Sequence, residues 1–227
     1  MTYLQIVNAV LRRLRETEVE SVSDTTYSKL VGDYINEAKR EVEDSWDWIQ
    51  LRNTIQVVTS AGTSEYTLTS AAQRFRILRD RTTNGWDVFN DTEDYQLYKA
   101  PSSAWMTRMF NTTPSTQQEP LWFDINGSTD GDPNVDLWPI PDAAYTINFN
   151  MVLPQADFAL DGTDDSTVIT VPDWVVVMGA YALAISERGE DGGMSYAEAD
   201  DRFRLALSDA ISKDAANVPE ELRFEAE

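Results

Sequence analysis

VPDWVVVMGAYALAISERGED, residues Val171 to Asp191, is the stretch on which the fold turns. From Trp174 to Ile185 no residue carries a charge, and the run stops at Ser186, Glu187 and Arg188. In a chain of net charge -21 so apolar a segment has to be hidden from water. Spanning a bilayer takes roughly 18 apolar residues or more, and this run is shorter, so it reads as a buried helix of a soluble protein. Pro172 suits a first helical position and Asp173 complements the N-terminal dipole. Arg188 and Gly189 make a stop. Gly179, Ala180, Ala182 and Ala184 are small enough to let neighbouring helices approach closely, while Trp174, Val177, Tyr181 and Ile185 fill the other side. Trp174, Gly179, Ala180, Tyr181 and Ala184 are therefore candidate packing residues, in a helical core or between subunits.

Working outward, the partners of this helix are legible on both sides. Downstream, GEDGG is a turn, and Ser195 with Glu198 has the spacing of a capping box. The helix that follows is expected to bury Tyr196, Ala199, Phe203, Ala206, Leu207, Ala210 and Ile211, and to end at Asn217 and Pro219. PEELRFEAE is an acidic tail. At the other terminus, MTYLQIVNAVLRRLRE lacks the basic start and small-residue cleavage site of a signal peptide. It reads as an amphipathic helix, with a capping box at Thr2 and Gln5 and a stripe of Leu4, Val7, Leu11 and Leu14. A second helix starts from Asp24 as N-cap. Its apolar face is Tyr27, Leu30, Val31, Tyr34, Ile35, Ala38, Val42 and Trp46. Its charged face is Asp33, Glu37, Lys39, Arg40 and Glu41. Trp48 falls off the stripe and is expected to plug the junction with the strand that follows.

Between the helical halves the period changes. NTIQVVTS, SEYTLT, RFRILRD, WDVFN, PLWFDING, VDLWPIP and YTINFNMVLP read as short strands. Asn84-Gly85 suits a hairpin turn, and the stretch from Asp91 to Phe110 has room for a short helix. The fold class expected is α+β: a four-helix bundle, two N-terminal and two C-terminal helices, with a central inserted antiparallel β domain. The boundaries are 1–52 and 171–217 for the bundle, 53–170 for the β-rich insertion and 218–227 for the tail.

Composition removes whole classes of chemistry. There is no Cys, hence no disulfide, thiol catalysis or Cys-bound zinc, and no His, hence no Ser-His-Asp triad or imidazole shuttle. Thirty-nine Asp and Glu against 18 Lys and Arg give a surface that duplex DNA or an anionic membrane would repel. Asp130, Asp132, Asn134 and Asp136 begin like a calcium loop, but Val135 and Pro141 stand where that loop needs Gly and Glu, so a polar turn is expected. Asp161, Asp164 and Asp165 read as punctuation before the buried helix. No catalytic residue, cofactor-binding residue or metal ligand is assigned. Two rival readings stay open: a glycan binder using Trp86, Trp105, Trp122 or Trp138, and a hydrolase built on a carboxylate pair.

The order of elements resembles the head-to-tail adaptor (head completion, or connector) proteins of tailed bacteriophages, the short-tailed type in particular. MTYLQIVNAVLRRL followed by YSKLVGDYINEAKREVEDSWDWIQLR is similar to that family's long-helix, aromatic, Leu-Arg entry into a β region. VITVPDWVVVMGAYALAISERGED and SYAEADDRFRLALSDAISKDAA are similar to its third and last helices. The resemblance implies a non-enzymatic virion protein at the capsid-tail junction, made in the host cytoplasm. It implies a ring of usually twelve subunits that docks under the portal protein and continues the DNA channel to a tail or nozzle protein. No sequence-specific nucleic-acid contact and no membrane partner are expected. Family C-terminal segments reach into the portal, which places portal contacts on Val218, Leu222, Arg223 and Phe224.

Overall fold

The computed structural model describes residues 1–80, 85–112, 117–188 and 195–217. Among these residues the fold is mixed α+β, with five α helices and two sheets. The helices are α1 (Tyr3–Arg13), α2 (Thr26–Ser45), α3 (Ser103–Thr112), α4 (Asp173–Arg188) and α5 (Tyr196–Ala215). The chain divides into two compact units: Met1–Leu51 with the chain from Pro154 onward, and Arg52–Leu153.

In the first unit α4 packs against α1, α2 and α5. Val175, Val176, Val177, Gly179, Ala180, Ala182 and Ala184 are buried on it. The helix is not enclosed all round, as its composition suggested: Trp174 is 40% exposed, and Met178, Tyr181 and Ile185 are half-buried. Gly179 is the point of closest approach. A Cβ there would sit 3.0 Å from both Ala38 Cβ and Phe203 Cε2, wedged between α2 and α5. Gly179→Val is expected to cost about 1–3 kcal/mol by overpacking, read as a lower urea midpoint in far-UV circular dichroism.

The capping box of α1 forms, with Gln5 N–H donating to Thr2 Oγ1 at 3.3 Å and Thr2 N–H to Gln5 Oε1 at 3.0 Å. Its buried face is Tyr3, Ile6, Val7, Val10 and Leu11, whereas Leu4 and Leu14 are only half-buried. The expected stripe is thus rotated, because the Tyr3 ring stacks on Phe158 at 4.6 Å. Thr25 rather than Asp24 caps α2, accepting from Ser28 N–H at 2.9 Å. Asp24 instead accepts from Glu20 and Ser21 N–H and closes the short 3-10 turn Val22–Asp24. Trp48 is fully buried. On α5, Ala199, Phe203, Ala206 and Ala210 are buried, but Tyr196 is 45% exposed, since it sits in the first turn beyond the reach of α4's core face.

Lys39 departs furthest from its sequence reading. The helical period puts it on the charged face of α2, yet it and Glu43 are both wholly buried. The cause is the segment after Pro154, which the sequence boundaries put in the β insertion but which packs in the helical unit. Asn36, Lys39 and Glu43 recur along one side of α2 and bind its backbone. Asn36 Nδ2 donates to Phe158 O at 3.0 Å, and Phe158 N–H donates to Asn36 Oδ1 at 2.9 Å. Lys39 Nζ donates to the carbonyls of Gln155 and Ala156 at 2.7 and 2.8 Å. Gln155 N–H donates to Glu43 Oε1 at 3.1 Å. An irregular segment can be buried only if its backbone groups are satisfied, and α2 supplies the partners. Asp164 and Asp165 finish the task by accepting from Ala159 and Val22 N–H.

The second unit holds β1 (Arg52–Val58), β2 (Glu65–Thr67), β3 (Arg76–Ile77), β4 (Val88–Asn90), β5 (Tyr95–Gln96), β6 (Tyr98–Lys99), β7 (Trp122–Thr129), β8 (Asp132–Trp138) and β9 (Thr146–Val152). One sheet runs β1-β9-β4-β5 with β3 also on β9, and the other runs β2-β8-β7-β6. All pairs are antiparallel except β6 with β7, which corrects the expectation of a wholly antiparallel domain. Parallel neighbours need a crossover connection, and α3 lies in it. Alternation along β9 buries Ile147, Phe149 and Met151, and Phe149 meets Phe123 of the other sheet edge-to-face at 5.9 Å. Asp130 and Gly131 both take positive φ, 52° and 91°, and form a two-residue hairpin turn between β7 and β8. Of the other expected hairpin turn, Gly85 N-terminal neighbours include Asn84, which lies outside the described residues.

Candidate functional site

No residue was assigned to catalysis, so the candidate sites are surfaces. The four proposed portal contacts, Val218, Leu222, Arg223 and Phe224, lie outside the described residues. Of the packing candidates, Gly179, Ala180 and Ala184 face the interior, while Trp174 and Tyr181 open onto a trough on the helical unit.

The trough consists of two adjoining depressions of about 420 and 220 Å³, which share Arg13 as a wall. Trp174 and Val177 line the first, Met178 and Tyr181 the second. Arg12, Arg13 and Arg202 stand around it, and Lys213 Nζ lies 5.7 Å over the Trp174 ring. Arg12 and Arg202 pair with Glu18 and Glu198 at 3.0 and 2.8 Å, but these exposed pairs are weak and open to exchange. The trough thus sets apolar side chains of α4 beside basic side chains of α1 and α5. The sequence showed the apolar side chains and the arginines separately; only the packing of α1, α4 and α5 brings them together.

The four tryptophans set aside for glycan binding separate. Trp105 packs on Trp122 and Trp138 at 5.1 and 5.7 Å, with interplanar angles of 53° and 78°. Tyr98 extends the cluster to Trp122 at 5.3 Å. These rings turn faces and edges to one another rather than lying coplanar as a platform for sugar. Trp86 stands apart from them in a different contact set, with Arg79 at 4.3 Å and Lys99 at 4.8 Å from its ring centroid.

Two carboxylates of the polar turn, Asp132 and Asp136, accept local hydrogen bonds, the latter from Asn126. Asp132 accepts from Ser70 and Ala72 N–H, and Asn134 bonds Glu65, Thr67 and Thr129. Among the described residues, no group of three or more acids is arranged to hold a metal ion. Glu65, Asp136 and Asp124 do lie opposite one another across β2, β8 and β7. Burial pushes the Asp136 carboxyl above its ordinary range, Glu65 and Asp124 add to the rise, and the bond from Asn126 opposes it. Because the folded value lies above the unfolded one, protonation favours the fold: this site contributes most below about pH 4 and loses the contribution as pH rises. Asp136→Asn is expected to stabilise the β unit at neutral pH by about 0.2–1 kcal/mol, with the gain vanishing in acid. Urea titrations at the two pH values measure it.

The family model described as SU10 adaptor protein matches residues 1–223, and the chain belongs to that family of phage structural adaptors. A search of curated proteins returned no match.

Proposed function

We propose that this adaptor sits in the virion at the capsid-tail junction, assembles as a ring of twelve copies, docks to the portal protein and continues the DNA channel toward a tail or nozzle protein. The family match over residues 1–223 carries this reading. Three physical features support it. A net charge of -21 keeps a channel wall from holding passing DNA. The packing of α4 against α1, α2 and α5, and of α1 against α2, suits one helical bundle as the wall element, with residues 52–153 as the inserted unit. The trough around Trp174 and Tyr181 is a surface of the kind that subunit contacts cover.

Portal docking is assigned to the tail from Val218 to Glu227, with Leu222 and Phe224 as apolar anchors and Arg223 between them. Mixing the purified protein with the portal ring of the same phage and imaging the product by electron microscopy tests the proposal. A collar of added density with the portal's own rotational symmetry is the expected result; bare portal rings beside free protein would overturn it. Deleting residues 218–227 is expected to abolish the collar while leaving the far-UV spectrum unchanged. Undiminished docking by the truncated protein would remove the tail from the interface.

A further inference from the structure

The trough on the helical unit differs in charge from the chain that carries it. Its described lining includes Arg12, Arg13 and Arg202 and no Asp or Glu, in a chain with 39 acidic and 18 basic residues. Arg13 walls both depressions, is exposed, and donates to Ala9 O at 3.3 Å. It forms no ion pair among the described residues. Arg12 and Arg202 meet Glu18 and Glu198 at the exposed surface, where such pairs exchange readily. The floor is apolar and open: Trp174 is 40% exposed, and Met178 and Tyr181 are half-buried.

The described chain ends beside this trough. Lys213, in the last turn of α5, places Nζ 5.7 Å over the Trp174 ring, and Asn217 Nδ2 donates to Lys213 O at 3.1 Å. VPEELRFEAE, residues 218–227, follows Asn217 in the sequence and holds four Glu, one Arg and the apolar Leu222 and Phe224. From Trp174 to Tyr181 the trough follows α4 for about 10 Å, at about 1.5 Å per residue. Leu222 stands five residues past Asn217. That is about 17 Å of extended chain, enough to reach the trough. In an extended chain Leu222 and Phe224 fall on one side about 7 Å apart, and Arg223 falls on the other.

We propose that in the free protein the chain's own tail, residues 218–227, docks in this trough, with Leu222 over Trp174 and Val177, Phe224 against Met178 and Tyr181, and its glutamates toward Arg12, Arg13 and Arg202. Charge selects the occupant: four acids and one base meet a wall of three arginines. The tether selects its source. It holds the chain's own tail beside the trough at high effective concentration, whereas a tail from a second copy must first bring together two chains of net charge -21. Docking also takes the open apolar floor out of water. The contact does not rest on portal docking. Where the portal takes the same tail, as proposed above, it has to draw the tail out, and the uncovered trough is then open to a neighbouring subunit.

The chain contains no Cys, so a pair of introduced cysteines reports the contact. Full-length Met178→Cys, Phe224→Cys is compared with Glu37→Cys, Phe224→Cys, in which position 37 is exposed on α2 and lies outside the trough. Mild oxidation of dilute protein is expected to close the Met178 pair within one chain at least about tenfold faster. Adding Arg13→Glu is expected to slow that closure by roughly threefold. Without cysteines, Leu222→Ser, Phe224→Ser is expected to shift the Trp174 indole N–H signal in NMR spectra, assigned through Trp174→Phe, and to leave the Trp48 signal in place. Equal closure rates for the two pairs, links between chains instead of within one, closure indifferent to Arg13→Glu, or an unmoved Trp174 signal would each overturn the proposal. The NMR comparison stands even if Met178→Cys fails to fold. Neither experiment contains the portal, so failure here leaves the docking proposal to its own test.

Discussion

Replacing Lys39 by Met is expected to destabilise the helical unit by about 3–5 kcal/mol. Its ammonium lies 3.6 Å from Glu43 Oε1, donates to two backbone carbonyls and sits 5.0 Å over the Phe158 ring. Neither charged side chain reaches water. Removing the cation takes a positive charge away from a buried carboxylate and a donor away from two backbone carbonyls, and each loss carries a desolvation penalty. The double variant Lys39→Met, Glu43→Met is expected to be more stable than the single one, because no isolated charge remains. It should still fall short of wild type, because the carbonyls of Gln155 and Ala156 still lack a donor. Arg40→Met, one residue on, removes an exposed pair with Asp157 and should cost about 1 kcal/mol or less. Urea unfolding followed by tryptophan fluorescence ranks the four proteins. Equal losses for Lys39→Met and Arg40→Met would show that burial is not what makes Lys39 matter.

Trp48→Ala is expected to cost about 3–5 kcal/mol, the range for emptying a large aromatic site. The ring is fully buried and its indole N–H donates to Val42 O at 2.7 Å, near the end of α2. Trp48→Phe divides the loss. It keeps most of the volume, and Val42 O keeps the Ser45 hydroxyl at 2.7 Å, so only the lost bond, about 0.5–1.5 kcal/mol, should register. Both variants are compared with wild type by the same titration. A Phe variant as unstable as the Ala one would make the hydrogen bond, not the packing, the dominant contribution.

The candidate surfaces were only partly visible in advance. Trp174 and Tyr181 were named from an apolar run, but which of its residues would stay at the surface depends on how many helices surround α4 and where they lie. The tryptophans of the β region read as one group in the sequence, but packing sets Trp105 of α3 on Trp122 of β7 and Trp138 of β8, and gives Trp86 the cations Arg79 and Lys99 instead.

Local rules determined what is local. Periodicity set the helices and most strands, the Thr2–Gln5 box set the start of α1, the small residues of Val171–Asp191 marked a close-packed helix, and the absence of His and Cys bounded the chemistry. Those depend on neighbours within a few residues. The tertiary structure decided what depends on partners far away in the chain. Lys39 looks solvated on its own helix and becomes buried because Gln155 and Ala156, more than a hundred positions later, lay their carbonyls over it. The buried face of α1 turned for the same reason, toward Phe158. A helix's period tells which residues share a side; it cannot tell how many sides another segment will cover.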